Sequence, residues 1–195
     1  YLDAESFENT FRNNKISMAT GDRELIAVDG SSDNVFINNW LSGLRNGGIY
    51  LYRNCGENGV SRHSTPSNNV IVNNFFVYDT YSGFNPAVYL GARNGNRPYC
   101  WRDMDSHYGS GRSDLDSARH NVVMQNQIQN RRHEDMIRTA IPATLSENRF
   151  QRQPVAVEDL AGVQRRERHL AGADQVERVV GEAVDLLLGI GQEAG

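Results

Sequence analysis

Lysine is almost missing from this chain. Lys15 stands alone against nineteen arginines, so a phosphate-loop lysine or a lysine Schiff base has almost no candidate. Cysteine is nearly as scarce. Cys55 and Cys100 allow one intramolecular disulfide and cannot build a four-cysteine zinc site. No run of about 18 apolar residues occurs, so no transmembrane helix is expected. An excess of positive charge is also lacking: the net charge is -4 and the isoelectric point about 5.7. Without a basic field to steer phosphate, nucleic acid is not an expected partner. The sequence opens at Tyr1 with no recognisable signal peptide, so a processed chain or a fragment is expected.

What is present suffices for a core. The 195 residues are 38% hydrophobic, 23% charged and 9% aromatic, which fits one domain, or one domain with a tail, and not a globally disordered chain. The composition changes near Pro154. Residues 1–150 hold all twenty asparagines and every aromatic, whereas residues 151–195 contain no Asn, Ser, Thr, Lys, Cys, Met, Phe, Tyr or Trp. The latter stretch carries eight acids and five arginines. Leu160, Val163, Leu170, Val176, Val180, Val184 and Leu187 recur there near helical spacing, which predicts an amphipathic helix over 158–188, broken near Gly172 and Gly181. Two readings stand side by side: a helical cap or partner-binding helix, and a segment unrelated to the domain.

The body is a repeat. NTFRNNKI, NVFINNWL, NVIVNNFF and NVVMQNQI begin at Asn9, Asn34, Asn69 and Asn121, and ATLSENRF at Ala143 is a degenerate fifth copy. Each places an apolar residue three positions before an asparagine and another two positions after it. The asparagines are Asn14, Asn39, Asn74, Asn126 and Asn148. Phe11, Phe36, Ile71, Val123 and Leu145 precede them, and Ile16, Leu41, Phe76, Ile128 and Phe150 follow. The asparagines are 25, 35, 52 and 22 residues apart. A basal period of 22 to 25 residues is too short for paired-helix repeats, and the segments are β-branched and aromatic. A further strand follows each of the first four copies, at 25–28, 49–52, 87–90 and 136–139. The regular leucines of a leucine-rich repeat are absent.

These copies resemble the coils of right-handed parallel β-helix proteins, the pectate-lyase-like and NosD-like superfamily. The resemblance covers about Ser6 to Phe150 and implies an all-β solenoid of about five coils, with residues 1–150 as the β-helix domain and 151–195 as a compositionally distinct tail. It also implies that the five asparagines stack as a ladder through their turns, because Asn tolerates the left-handed bend and satisfies turn backbone groups. No capping segment is recognised ahead of Ser6.

The longer spacings come from insertions at one corner, near 53–68 and 92–120, and insertions on one face of a solenoid are often its binding face. Cys55 and Cys100 follow strands of adjacent copies. A disulfide tying the loop bases is the preferred reading over free thiols, and implies an oxidising, extracellular or periplasmic compartment. Tyr50 and Tyr89 align with Ile49 and Val88 turned inward, so both rings are expected to face outward, with Arg138 continuing the row. With Arg97, Tyr99 and Trp101 from the second insertion they suit an acidic polysaccharide, since rings stack on pyranose faces and arginine pairs carboxylates bidentately.

For turnover, Arg102, Asp103, Asp105 and His107 supply the residue types of a uronate lyase, a C5-epimerase or an inverting hydrolase. The motifs of the resembled enzymes are not met. Arg97-Pro98-Tyr99-Cys100-Trp101-Arg102 is one residue out of register with R-x-P-x-x-R, and Tyr81-Ser82-Gly83-Phe84-Asn85-Pro86 lacks the acid and histidine of the epimerase motif. Asp103 and Asp105 could take calcium, the one cofactor considered. His63, His107, His120 and His133 show no zinc-like spacing, so no metal site is expected. The competing class is a non-catalytic glycan-binding or surface scaffold, or an incomplete piece of a larger β-helix enzyme.

Overall fold

The computed structural model describes residues 1–3, 6–17, 23–52, 64–79, 85–91, 118–131, 134–139 and 143–151. Its strands are short, because a corner interrupts the chain every few residues. The first sheet holds Thr10–Arg12 (β1), Val35–Ile37 (β4), Val70–Val72 (β7), Val122–Met124 (β10) and Thr144–Ser146 (β13). The second holds Lys15–Ser17 (β2), Trp40–Ser42 (β5), Phe75–Val77 (β8), Gln127–Gln129 (β11) and Arg149–Gln151 (β14). Ile26–Asp29 (β3), Ile49–Tyr52 (β6), Val88–Leu90 (β9) and Ile137–Thr139 (β12) form the third. Every pairing is parallel. The chain visits the third, first and second sheets in turn and then repeats, so hydrogen-bonded neighbours are one circuit apart. Among the described residues that is an all-β arrangement with almost no helix, consistent with a parallel β-helix; Glu134–Met136 is a 3-10 turn.

The register is the one the repeat predicts. Phe11 pairs with Phe36, Phe36 with Ile71, Ile71 with Val123 and Val123 with Leu145. The same holds for Ile16, Leu41, Phe76, Ile128 and Phe150. Insertions change the sequence distance between copies, not the register, because they lie between strands. Phe36, Leu41, Ile71, Phe76, Val123 and Ile128 are fully buried in the core, joined by Ile49, Leu51, Val88 and Leu90 from the third sheet. Phe11 stacks on Phe36 with centroids 5.1 Å apart and planes 12° from parallel.

The asparagines form the ladder. Asn39 Oδ1 accepts from both the backbone N–H and the Nδ2 of Asn14, each at 3.0 Å. Asn74 serves Asn39 in the same way, Asn126 serves Asn74, and Asn148 serves Asn126. The amides of Asn39, Asn74, Asn126 and Asn148 also donate back to a strand carbonyl, as Asn74 does to Phe36 at 2.9 Å. A second ladder runs through the other corner of the first sheet: Asn34 accepts from Asn9, Asn69 from Asn34, and Asn121 from Asn69. Sequence reasoning quoted these residues as the start of each copy without giving them this role.

One expectation is corrected. The left-handed residue is not the ladder asparagine but the residue before it. Asn13, Asn38, Asn73, Gln125 and Glu147 have φ between 53° and 58°. Glu8, Asp33, Asn68 and His120, ahead of the second ladder, have φ between 53° and 59°. The bend turns the chain, and the next residue then points inward where its amide reaches the neighbouring turn. Because the bending side chain faces outward, Gln, Glu and His serve as well as Asn.

The strand pattern also begins earlier than Ser6: Leu2 bridges Val28 and Phe7 bridges Ser32, both parallel. Among the described residues no helix is long and apolar enough to cross a membrane. Of the stretch 151–195, all but Gln151 lies outside the described residues, as does the helix expected within it.

Candidate functional site

The outer face of the third sheet carries three of the residues singled out from the sequence, Tyr50, Tyr89 and Arg138. Tyr50 pairs in register with Tyr89, and Tyr89 with Arg138. Ala27 occupies the equivalent place on β3. Alternation turns Ile49, Leu51, Val88 and Leu90 into the core and leaves this row outside. Tyr50 and Tyr89 are half-buried and Arg138 is exposed. The two rings lie 5.5 Å apart and are tilted by 59°, within the contact distance of an aromatic pair.

Glycines seat the rings. A Cβ at Gly47 would overlap the Tyr50 hydroxyl, and one at Gly91 the Tyr89 hydroxyl, so both tyrosines lie along the sheet surface over positions without side chains. Gly47 also has φ of 112°, a conformation that side-chain-bearing residues rarely adopt. The sequence signal was present in Gly47-Gly48-Ile49-Tyr50 and Tyr89-Leu90-Gly91, but only a register that folds the ring back on the backbone gives it meaning.

Burial is the main cause that pushes the Tyr50 hydroxyl well above the usual tyrosine range. The negative charge of Glu24 acts in the same direction, Arg138 opposes it, and Tyr89 adds to the rise. Tyr50 therefore remains a neutral donor throughout the physiological range, suited to hydrogen bonding and stacking and not to service as a base. Glu24 also accepts from the Tyr52 hydroxyl, and Asp29 accepts from that of Tyr1 at 2.6 Å. Carboxylates thus lie toward β3, and Arg138 stands on β12. Behind this face Tyr78 is fully buried, donates to the Asn85 carbonyl at 2.7 Å and lies under the Arg131 guanidinium at 5.1 Å.

The roots of the two insertions are adjacent. One leaves after β6 and returns at β7, the other leaves after β9 and returns at β10, and these strands are neighbours in their sheets. Gly91 N–H donates to Leu51 and Asn68 N–H to Arg119, at 3.0 and 3.2 Å. Arg97, Tyr99, Trp101, Arg102, Asp103, Asp105 and His107 lie outside the described residues, as do Cys55 and Cys100. No disulfide is found among the described residues. Nor do three His, Cys, Asp or Glu side chains gather there as metal ligands.

A second aromatic pair escaped sequence reasoning. Trp40 and Phe75 stack on the outer face of the second sheet, 5.9 Å apart and 16° from parallel. Phe75 is buried while Trp40 is half-buried, so this pair offers less open ring surface than its parallel geometry suggests. Compared with known proteins, the chain matches no family model, no curated protein and no solved structure.

Proposed function

We propose that the chain is a right-handed parallel β-helix of five coils, working in an extracellular or periplasmic space, that binds an acidic polysaccharide along the Tyr50–Tyr89–Arg138 row. The row itself carries the reading: two rings on successive strands, seated by glycines and followed in register by an exposed guanidinium. Rings contribute stacking area to pyranose faces, and the guanidinium contributes a planar fork for a uronate carboxylate. The row runs across the strands, along the stacking axis, so an extended polymer would meet these groups one after another. Right-handedness follows from the rule that about 98% of parallel crossovers take that hand. Five coils correspond to five strands in each of two sheets.

Turnover would fall to Arg102, Asp103, Asp105 and His107 from the insertion rooted beside the row, with calcium as the ion those acids suit. Tyr50, whose hydroxyl is raised above all by burial, suits hydrogen bonding and stacking within that row. Incubating the protein with a panel of uronate and neutral polymers tests both halves. Retention on uronate polymers above neutral ones is the expected result. Growth of absorbance from an unsaturated 4,5 bond would add lyase activity, and failure to retain any glycan would overturn the proposal. Counting free thiols in denatured protein checks the compartment: none is expected if Cys55 and Cys100 are paired.

A further inference from the structure

The outer face of the first sheet should not be buried by its own fold, yet it is. On β4, β7 and β10 the middle residues Phe36, Ile71 and Val123 point into the core, so the residues on either side of them point outward. Those residues are apolar. Ile37, Val70, Val72, Val122 and Met124 are only 0 to 4% exposed, and Val35 is partly buried against them. They form a cluster separate from the core, and no described residue of any other element belongs to it.

The patch has sharp limits. At the equivalent positions β1 has Thr10 and Arg12, and β13 has Thr144 and Ser146. The apolar surface is therefore three strands wide. At a spacing of about 4.8 Å its outer strands lie about 10 Å apart, the diameter of one helix.

We propose that the C-terminal segment of this same chain, within residues 155–190, docks as a helix on this face. Residues 152–195 contain thirteen Val, Leu and Ile, whereas 53–63 has only Val60 and 92–117 only Leu115. The patch is aliphatic, and the first of these segments is much the richer in aliphatic residues, whereas the apolar residues of 92–117 are chiefly aromatic, Tyr99, Trp101 and Tyr108, with Met104 and Leu115. A helix carried through Gly181 would place Val176, Val180, Val184 and Leu187 on one face spanning about 17 Å, enough to cross three strands. The reach suffices too: the 24 residues between Gln151 and Val176 extend up to about 80 Å. Docking there leaves the third sheet as the open face, which keeps the tyrosine row accessible.

Met124 provides the test within the full chain. Photo-reactive methionine incorporated in place of methionine should cross-link from position 124 to a peptide of residues 155–190 in a monomeric product. Cross-links to 53–63 or 92–117, a dimeric product, or no cross-link from position 124 would each overturn the proposal. A second measurement uses peroxide oxidation, read by mass spectrometry. Met124 should be as protected as Met136, which is buried in the core. Val180→Asp with Val184→Asp should raise Met124 oxidation by about tenfold and leave Met136 unchanged. Unchanged protection of Met124 in that variant would contradict docking. A simultaneous rise at Met136 would mark unfolding, and the cross-link in the unsubstituted chain then decides.

Discussion

Asn74 shows how much rests on single side chains here. Its Oδ1 accepts two hydrogen bonds from Asn39, and its amide donates to Phe36, Val72 and Asn126. It is fully buried, so Asn74→Leu strands several polar groups at about 1–3 kcal/mol each and should lower the urea midpoint strongly. The residue before it behaves differently. Asn73 holds φ of 53° with its side chain in no ladder, so Asn73→Val should cost about 1–2 kcal/mol while Asn73→Gly is tolerated. Equal losses at both positions for every substitution would contradict the division of labour between bend and ladder. Legibility ran out at this scale. The paired asparagines were visible in three copies as Asn-Asn, but identical letters hide which one bends, and only the Gln125-Asn126 and Glu147-Asn148 copies carry the distinction. Tyrosine ionisation gives a pH signature. Burial foremost raises the hydroxyls of both Tyr50 and Tyr78 above the ordinary value near 10. The folded state therefore keeps protons that the unfolded chain loses, so their contribution is fully present below pH about 10 and is lost as pH rises toward the folded values. Denaturant unfolding at pH 8 and 10.5 should show this fall, and a Tyr50→Phe, Tyr78→Phe double variant should flatten it.

Strands of three residues carry little periodic information. Val35-Phe36-Ile37, Val70-Ile71-Val72 and Val122-Val123-Met124 are apolar at every position, so alternation cannot reveal which residues face the core. The repeat decided it instead, because the ladder asparagine fixes the middle residue as inward. The third sheet was easier to read, since Tyr50, Tyr89 and Arg138 interrupt its apolar run in register. What the sequence could not show is the seat of those rings, which depends on Gly47 and Gly91 lying beneath them in space. A prediction follows from that seat. Gly91→Ala should push the Tyr89 ring off the surface at little cost in stability, because the far end of a side chain moves and not backbone. Glycan affinity should fall by about 1 kcal/mol, the scale of one lost ring contact, with melting temperature nearly unchanged. An unaltered affinity would remove Tyr89 from the binding surface.

Across the whole molecule the repeat makes stability a matter of position in the stack. Each circuit touches only its neighbours, so the inward row Phe11, Phe36, Ile71, Val123 and Leu145 is best packed in its middle. Ile71 is fully buried, while Leu145 is 42% exposed. Ile71→Ala should cost about 2–5 kcal/mol and Leu145→Ala markedly less, because a partly exposed side chain loses less area and leaves no closed cavity. The order of strands and their register were legible because insertions fall between strands and leave the spacing around each asparagine intact. Of the candidate site only the Tyr50–Tyr89–Arg138 row was legible, since Arg97, Tyr99, Trp101, Arg102, Asp103, Asp105 and His107 fall in an insertion with no repeat to place them. The most direct measurement is therefore made on the row itself: titration of a uronate oligomer into the intact chain and its Tyr89→Ala, Arg138→Ala and Arg149→Ala variants at low and high salt. Arg149, exposed on the second sheet, is the control. Tyr89→Ala should weaken binding at both salt concentrations and Arg138→Ala mainly at low salt, while Arg149→Ala binds as the parent does. Equal losses at Arg138 and Arg149, or no loss at Tyr89, would contradict a glycan site on the third sheet.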